Sequence, residues 1–364
     1  MGLSCGIVGL PNVGKSTLFN ALTSAGIAAS NYPFCTIDPN VGAVSVPDER
    51  LDKIAAIFKP LATLPALVEF VDIAGLVKGA SQGEGLGNQF LGHIKQVQAI
   101  LHIVRCFEDE NIIHVHGGVD PIRDIEVIQT ELCLADLDTV SKSQDRYAKQ
   151  ARTGKKEFQV KADLLAKVQV ELGKGVPVRN MALTADEFKE LHELHLLTHK
   201  PVLYVCNVAE TDLSTKNKFV QQVEEFAKKE NAGVTLISAQ VEAEVAELNK
   251  EERETFLKEL GLTESGLHRM IRESYSLLGL ITYFTAGEKE CRAWTIKRNT
   301  KAPGAAGEIH SDFERGFICA EIYHVDDLIA NGSEANVKSK GLMRTEGKEY
   351  VMKDGDVVHF RFNV

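Results

Sequence analysis

Apolar and polar positions along the chain fall into two patterns that alternate over much of its length. Short apolar runs typical of buried strands occupy residues 3–8, 41–46, 67–71, 99–106, 201–206 and 234–237. Helical patterns lie between several of these runs, for example over residues 50–58. Strands that alternate with helices favour a parallel sheet with helices on both faces. The pattern therefore predicts an α/β fold built as a three-layer sheet.

The segment between the fourth and fifth predicted strands, residues 107–200, is too long for an ordinary crossover. Its apolar residues recur at helical spacing, and a Gly- and Pro-containing break at residues 173–177 interrupts them. The predicted apolar faces consist of Leu132, Leu134, Leu137 and Val140, then Phe158, Leu164, Leu165 and Val168, then Phe188, Leu191, Leu194 and Leu197. We predict an inserted α-helical, coiled-coil-like domain over residues 135–199, serving either as a structural spacer or as a partner-binding arm.

From residue 281 the helical pattern gives way to short alternating runs that are rich in turns and aromatic residues. Asp354 and Gly355 form a turn signal between two such runs. These alternating runs and the turn signal predict a separate β-rich domain over residues 281–364. Residues 1–134 and 200–280 then make up the α/β domain.

Composition and charge narrow the class of protein. The net charge of −10 argues against a surface that coats nucleic acid, although residues 135–200 hold 12 Lys and Arg against 10 Asp and Glu. No apolar run approaches the length of a membrane span, and the first residues lack the basic segment of a signal peptide. The seven cysteines follow no spacing pattern, which favours reduced thiols. We expect a cytoplasmic monomer that does not bind a membrane.

The chemistry-bearing motif is G-x-x-x-x-G-K-S, the phosphate-binding P-loop, between the first predicted strand and a predicted helix. Gly9 and Gly14 allow backbone conformations in which successive N–H groups point at one anion. The helix that begins near Lys15 adds its unpaired N–H groups and the positive end of its dipole. Lys15 supplies a positive charge to the β- and γ-phosphates, and the Ser16 hydroxyl can ligate Mg²⁺.

Two further segments predict a site that responds to the γ-phosphate. Thr36 lies in a loop after the first helix, where the switch threonine of such proteins lies. Asp72 ends the third apolar run and can meet Mg²⁺ directly or through water, and Gly75 follows at D-x-x-G spacing, so its N–H can reach the γ-phosphate.

Leu76 stands where Ras-like enzymes carry the glutamine that orients the attacking water. An apolar side chain cannot do this, so another group must, and turnover should be slow. His114 and His116 are the candidate substitutes, since a histidine titrates in the range needed to activate water; either can equally be a solvated loop residue.

The segment after the fifth strand predicts which base is bound. GTP-binding proteins use Asn-Lys-x-Asp there, whereas this chain reads Asn207-Val208-Ala209-Glu210. A glutamate is one methylene longer than the aspartate and loses the paired hydrogen bonds to guanine, which are worth roughly 10- to 150-fold in affinity. Asn207 and the Val208 backbone can instead pair with adenine, and Ser238 and Ala239 fit the loop that closes over the base. We therefore expect ATP rather than GTP.

These residues together resemble one family, the Obg-like ATPases of the YchF branch of the translation-factor P-loop GTPases, over essentially the full length. The resemblance rests on GLPNVGKST, NYPFCTIDPN, DIAGLVKGA, NVAE and the helical insertion. The C-terminal stretch that begins GEKECRAW is similar to a TGS domain, a β-grasp module. The departures at Leu76 and in NVAE are typical of this branch.

The resemblance implies a G-type nucleotide domain and a slowly hydrolysing ATP switch associated with ribosomes. It implies phosphate contacts from Asn12, Val13, Gly14, Lys15, Ser16 and Thr17, Mg²⁺ ligands at Ser16 and Thr36, and a base contact at Val208. It also aligns His114 with the histidine proposed for hydrolysis in this branch. Ribosomal RNA contact through the helical arm and the TGS-like domain is compatible with the sequence. A GTP-specific regulator and a small-molecule ATP-dependent enzyme remain the alternatives.

Overall fold

The computed structural model describes residues 3–25, 40–73, 86–115 and 117–363. Thr36, Gly75, Leu76 and His116 lie outside the described residues. The described strands are β1 (Ser4–Val8), β2 (Val41–Ser45), β3 (Ala62–Leu64), β4 (Leu67–Asp72), β5 (Ala99–Arg105), β6 (Val202–Asn207), β7 (Gly233–Ile237), β8 (Leu280–Ala286), β9 (Glu290–Lys297), β10 (Phe317–His324), β11 (Arg344–Glu346) and β12 (Asp356–Phe362).

The helices are named in the same way, in chain order. They are α1 (Lys15–Ala25), α2 (Glu49–Phe58), α3 (Leu86–Gln96), α4 (Pro121–Ala151), α5 (Lys156–Gly173), α6 (Ala185–Leu191), α7 (Lys218–Lys229), α8 (Ala239–Glu247), α9 (Lys250–Glu259), α10 (Gly266–Leu277), α11 (Ala302–Ile309), α12 (Ser311–Arg315), α13 (Val325–Asn331) and α14 (Glu334–Ser339). None of the described helices is both long enough and apolar enough to cross a membrane.

The chain divides into two compact units, of which the first comprises Met1–Gly42 and Glu69–Met270. Its six-stranded sheet has the order β2-β4-β1-β5-β6-β7, and β1 pairs in parallel with both β4 and β5. Every residue of β1, β5 and β6 is buried, as expected for central strands of a sheet covered on both faces. The predicted α/β sheet is confirmed, and its six strands are the six apolar runs.

The insertion between β5 and β6 is helical, as predicted, and its longest element is α4. Asp120 begins α4, since its carboxylate accepts a hydrogen bond from the Arg123 N–H and Pro121 occupies the first turn. Helices α4 and α5 form a hairpin whose turn contains Gly154 in the left-handed region (φ 80°). Their buried apolar core includes Val140, Leu165 and Val168.

Leu134 departs from the predicted apolar face, because 44% of it is exposed. It follows buried Leu132 by two residues, which at about 100° per residue turns its side chain to the opposite side of α4. The apolar core of this hairpin therefore includes Val140 and the partly buried Leu137, but not Leu134.

The second unit comprises Ala43–Val68 and Ile271–Val364. Its mixed sheet has the order β11-β10-β12-β8-β9-β3 and confirms the predicted β-rich C-terminal segment. Residues 43–68 contribute α2 and β3, and β3 pairs in parallel with β9. Within this unit Asp354 accepts hydrogen bonds from the Arg50 guanidinium at 2.6 Å and the Thr282 N–H at 2.8 Å. The predicted domain boundaries at residues 134, 200 and 280 stay predictions.

Candidate nucleotide-binding site

Residues 9–14 form the turn between β1 and α1, and their backbone takes conformations that favour glycine or asparagine. Asn12 (φ 63°) and Gly14 (φ 93°) both lie in the left-handed region. The Gly14 carbonyl accepts the Leu18 N–H at 3.0 Å, which starts the α1 ladder. A Cβ on Gly14 would lie 2.3 Å from Asn207 Nδ2, and one on Gly9 would lie 2.9 Å from the Ile103 carbonyl oxygen. Gly9 is therefore required by the approach of the Ile103 backbone, and Gly14 by its positive φ and the Asn207 side chain.

Lys15 and Asp72 form an ion pair at the carboxyl edge of the sheet. Lys15 Nζ lies 3.0 Å from Asp72 Oδ1, and the two side chains are 10% and 19% exposed. The pair forms because α1 follows β1 directly and β4 lies beside β1, where Asp72 is in register with Ile7. The carboxylate holds the ammonium group beside the turn, and the contact of Lys15 with phosphate stays a prediction.

The remaining predicted phosphate-binding residues line the same turn. Asn12, Ser16 and Thr17 are exposed, whereas Val13 is 1% exposed and contributes its backbone. The Ser16 hydroxyl and the Asp72 carboxylate are hard oxygen donors, the ligand type that Mg²⁺ prefers together with phosphate oxygens and water. No group of three or more His, Cys, Asp or Glu side chains with metal-binding geometry occurs among the described residues. Such a group is not needed where phosphates supply most ligands.

Asn207 is the last residue of β6, and its side chain makes a hydrogen bond to the phosphate-binding turn. Its Nδ2 donates to the Val13 carbonyl at 2.9 Å, and its Oδ1 accepts the Ala239 N–H, also at 2.9 Å. The residue is 4% exposed, so both polar atoms of the amide are used inside the protein. The predicted contact between Asn207 and a base remains a prediction beside this observed structural role.

The other predicted base-binding residues surround the ends of β6 and β7. Val208 is 2% exposed, and its N–H donates to the Ile237 carbonyl at 2.8 Å. Ser238 is buried and precedes α8, which begins at Ala239, while Glu210 is exposed in a short 3₁₀ helix. These residues converge on one edge of the sheet because β6 and β7 are parallel neighbours. Their roles toward a base stay predictions.

His114 lies in the loop between β5 and α4, with its side chain only 6% exposed. Its Nε2 is 2.8 Å from Asp124 Oδ2 on the first turn of α4. The preceding residue, Ile113, accepts a hydrogen bond at its carbonyl from Asn12 Nδ2 at 3.2 Å. The loop that carries His114 is therefore bonded to the phosphate-binding turn, although 101 residues separate the two partners.

Arg105, the last residue of β5, shapes the same loop and was not foreseen from the sequence. It is 2% exposed, and its guanidinium donates to the carbonyls of Phe107, Asp109 and Ile112 at 2.9–3.2 Å. The guanidinium also lies 4.7 Å from the centroid of the Phe107 ring. An arginine at the end of a continuously buried strand was the available signal, because a buried charge must find hydrogen-bond acceptors.

Two groups on or next to β5, His102 and Cys106, have strongly shifted pKa values. Burial, with the positive charge of Arg179, lowers the pKa of His102 to about 3, so this β5 histidine is neutral at physiological pH. A hydrogen bond with Cys206 and burial raise the pKa of the Cys106 thiol far above its usual range. Neither group is suited to accept a proton from water at neutral pH.

The turn, the Lys15–Asp72 pair and the parallel sheet define a P-loop nucleotide-binding protein of the GTPase fold class. Comparisons with known proteins agree: residues 4–135 match the family described as "50S ribosome-binding GTPase" (MMR_HSR1). Residues 280–363 match the family YchF-GTPase_C, described as "Protein of unknown function (DUF933)".

Full-length relatives narrow the class to one family. The chain is 56% identical to the "Ribosome-binding ATPase YchF" of Bacillus subtilis (strain 168) and equally to that of Escherichia coli O157:H7, covering 100% of each chain. It is similar to the solved structure titled "Structure of the Schizosaccharomyces pombe YchF GTPase", with a TM-score of 0.90, 41% identity and coverage of 99% and 98%. The chain belongs to the YchF family.

Proposed function

We propose that this chain is a Mg²⁺-dependent ATP-binding, slowly ATP-hydrolysing switch that acts on the ribosome in the cytoplasm, as a monomer. The observation that carries the proposal is the cradle of residues 9–17, with Lys15 held at its mouth by Asp72. The bacterial relatives are named as ribosome-binding ATPases, and we extend both properties to this chain.

The residues of the cradle supply the binding of the triphosphate. The α1 N-terminus presents unpaired N–H groups and the positive end of a helix dipole. Lys15 exchanges its contact with Asp72 for phosphate oxygens, and Asn12, Val13, Gly14 and Thr17 complete the cradle. When bound, Mg²⁺ neutralises phosphate charge. Ser16 and Thr36 would hold it, with Asp72 acting through water.

For hydrolysis we propose His114 as the group that replaces the missing glutamine, with the Gly75 N–H directed at the γ-phosphate. The hydrogen bond from Asn12 to the Ile113 carbonyl supports this role, because it ties the histidine loop to the cradle. Leu76 cannot orient water, so the chemical step should be slow.

For the base, we propose that the Val208 backbone and the loop at Ser238 and Ala239 contact adenine. Glu210 lies at the position of the guanine-reading aspartate, and it is exposed and one methylene longer. GTP is the alternative, because the S. pombe relative is titled a GTPase. Direct comparison of ATP and GTP dissociation constants decides between them, and a clear preference for GTP would reject the proposed base contacts. A small-molecule ATP-dependent enzyme has no supporting second substrate motif.

The tip of the α4–α5 hairpin is the surface we propose for contact with ribosomal RNA. Residues 146–161 contain six Lys and Arg and one Glu. The rings of Tyr147 and Phe158 lie 6.3 Å apart, and Lys155 Nζ lies 5.6 Å from the centroid of the Phe158 ring. Exposed basic groups interleaved with aromatic rings suit phosphate contact and base stacking. The TGS-like C-terminal domain is a second proposed contact.

Co-sedimentation with purified ribosomes tests the switch. The protein is mixed with ribosomes in the presence of a non-hydrolysable ATP analogue or of ADP, and the pelleted fraction is measured. We expect more protein in the pellet with one nucleotide than with the other. Equal pelleting in both nucleotide states would reject the switch, while no pelleting in either would reject the ribosome as partner.

The hairpin tip is tested with Lys149→Gln/Lys156→Gln, two exposed lysines of the tip. The matched control is Lys228→Gln/Lys229→Gln, two exposed lysines in the last turn of α7. If both tip lysines contact phosphates, the double variant should show a weaker salt dependence than the wild type. The magnitude of the slope of log affinity against log salt concentration should decrease by about 1.8, since each phosphate contact contributes about 0.9 for a duplex. Equal salt dependence in the two double variants would place the RNA contact elsewhere.

A further inference from the structure

We propose that Asp124 is a positioning residue for ATP hydrolysis, which holds the His114 imidazole in one orientation and one tautomer. This inference rests on the proposed role of His114. It arises from a contact that the sequence did not predict, the 2.8 Å hydrogen bond between His114 Nε2 and Asp124 Oδ2. Both side chains are withdrawn from solvent, with exposures of 6% and 3%.

The chemistry of the two groups sets the direction of the hydrogen bond. An ionised carboxylate has no proton to give, so Nε2 of a neutral imidazole must carry the hydrogen and donate it. The lone pair then resides on Nδ1, which is the nitrogen able to take a proton from water. A carboxylate that orients an imidazole and selects its tautomer in this way is a recurrent arrangement in hydrolytic sites.

The carboxylate itself is rigidly placed at the start of α4. The Asp124 N–H donates to the Asp120 carbonyl at 3.1 Å, so the residue lies on the first hydrogen-bonded turn, where the helix dipole favours a negative charge. Arg123 Nη2 lies 3.6 Å from Asp124 Oδ1 and donates to the Gly118 carbonyl at 2.6 Å. Asp124 Oδ1 makes no hydrogen bond among the described residues, so the side-chain hydrogen bond of this carboxylate is the one to the imidazole, beside its ion pair with Arg123.

The main chain that precedes His114 is also fixed. Arg105 Nη1 donates to the Ile112 carbonyl at 2.9 Å, and Asn12 Nδ2 donates to the Ile113 carbonyl at 3.2 Å. The two residues before His114 are thus held by β5 and the cradle, and the His114 ring is held by α4. Removal of the Asp124 carboxylate leaves these backbone contacts in place and removes only its own contact with the His114 ring, so this residue can be tested separately from the loop.

Steady-state ATP hydrolysis by His114→Ala, Asp124→Asn and the double variant tests the proposal. The amide introduced by Asp124→Asn can donate to Nε2, which favours the opposite tautomer. We expect Asp124→Asn to lower kcat by roughly 10- to 100-fold, with the KM for ATP changed less than about threefold. In the His114→Ala background the same substitution should have no further effect on kcat. Glu126→Gln, which alters an exposed carboxylate on the same helix, is the matched control.

A spectroscopic measurement separates positioning from a purely structural role. Side-chain ¹⁵N spectra of the His114 ring should report a protonated Nε2 in the wild type and a shift toward protonated Nδ1 in Asp124→Asn. Thermal unfolding of each variant checks that the fold is retained. Unchanged kcat and unchanged ring spectra in a folded Asp124→Asn would reject the positioning role.

The outcomes distinguish this inference from the function on which it rests. If His114→Ala retains the wild-type kcat, the proposed role of His114 is wrong and the inference falls with it. If His114→Ala is inactive but Asp124→Asn is fully active, only the inference is wrong. If Asp124→Asn lowers kcat to the same extent with and without His114, Asp124 acts through another part of the structure, which also rejects the inference.

Discussion

The side-chain nitrogen of Asn207 lies 2.9 Å from the main-chain oxygen of Val13, across 194 residues of sequence. The same amide accepts the Ala239 N–H at 2.9 Å, so one buried side chain joins the phosphate-binding turn, the end of β6 and the start of α8. The turn between β1 and α1 and the segments at the ends of β6 and β7 are therefore connected through protein atoms.

Asn207→Ala should weaken both the fold and nucleotide binding. It leaves the Val13 carbonyl and the Ala239 N–H without their partner, at a cost of about 1–3 kcal/mol for each buried group. We expect a loss of about 2–5 kcal/mol in the free energy of unfolding by urea, and roughly a tenfold or greater loss of ATP affinity. Asn217→Ala, which removes the amide that caps α7 and donates to the Cys106 carbonyl, is a suitable control. Wild-type ATP affinity in a destabilised Asn207→Ala would show that the brace does not shape the cradle.

Lys15→Met should abolish tight ATP binding without unfolding the protein. The Lys15–Asp72 pair is largely buried, so the substitution leaves the Asp72 carboxylate without this partner and should lower the free energy of unfolding by about 1–3 kcal/mol. The lost ammonium group would contact phosphate in the bound state, where the charge matters more. Isothermal titration with ATP and Mg²⁺ should show a dissociation constant weaker by roughly tenfold or more. An unchanged constant would exclude Lys15 from phosphate binding.

Glu210→Asp combined with Val208→Lys should move selectivity toward GTP. The aspartate restores the shorter carboxylate that pairs with guanine, and the expected shift in the ratio of GTP to ATP affinity is roughly 10-fold or more. Val208 is 2% exposed, so its replacement also carries a stability cost, and Glu210→Asp alone is the necessary control. Competition binding with both nucleotides measures the ratio. A ratio that does not move would mean that other residues read the base.

His102→Gln should make stability less sensitive to acid. Burial lowers the pKa of His102 to about 3 in the folded state, against about 6.5 when unfolded. Between these values the unfolded chain binds the extra proton, so the folded state loses stability as pH falls. Between pH 7 and pH 5 the wild type should lose about 2 kcal/mol more than the variant. Urea unfolding at both pH values measures this difference, with exposed His359→Gln as the control; equal losses in wild type and variant would contradict the lowered pKa.

The strands show which elements can be predicted from the local pattern of apolar residues and which cannot. The run at residues 201–206 was recognisable because a central parallel strand is buried on both faces and is therefore continuously apolar. β3 (Ala62–Leu64) was missed because two of its three residues are exposed, and a short edge strand has no such pattern. The prediction that Leu134 lies on the buried face of α4 was wrong, because side chains two positions apart on a helix point to nearly opposite sides.

The sequence by itself determined the phosphate-binding turn, because G-x-x-x-x-G-K-S needs only neighbouring residues and the strand and helix that flank it. It also predicted the parallel sheet and the helical insertion, whose periodicities are local. Only the tertiary structure decided that Asn207 braces Val13, that Arg105 holds the loop after β5, and that Asp124 meets His114. Those contacts depend on which strands become neighbours and where a buried polar group finds its partner, and these are properties of the packed chain.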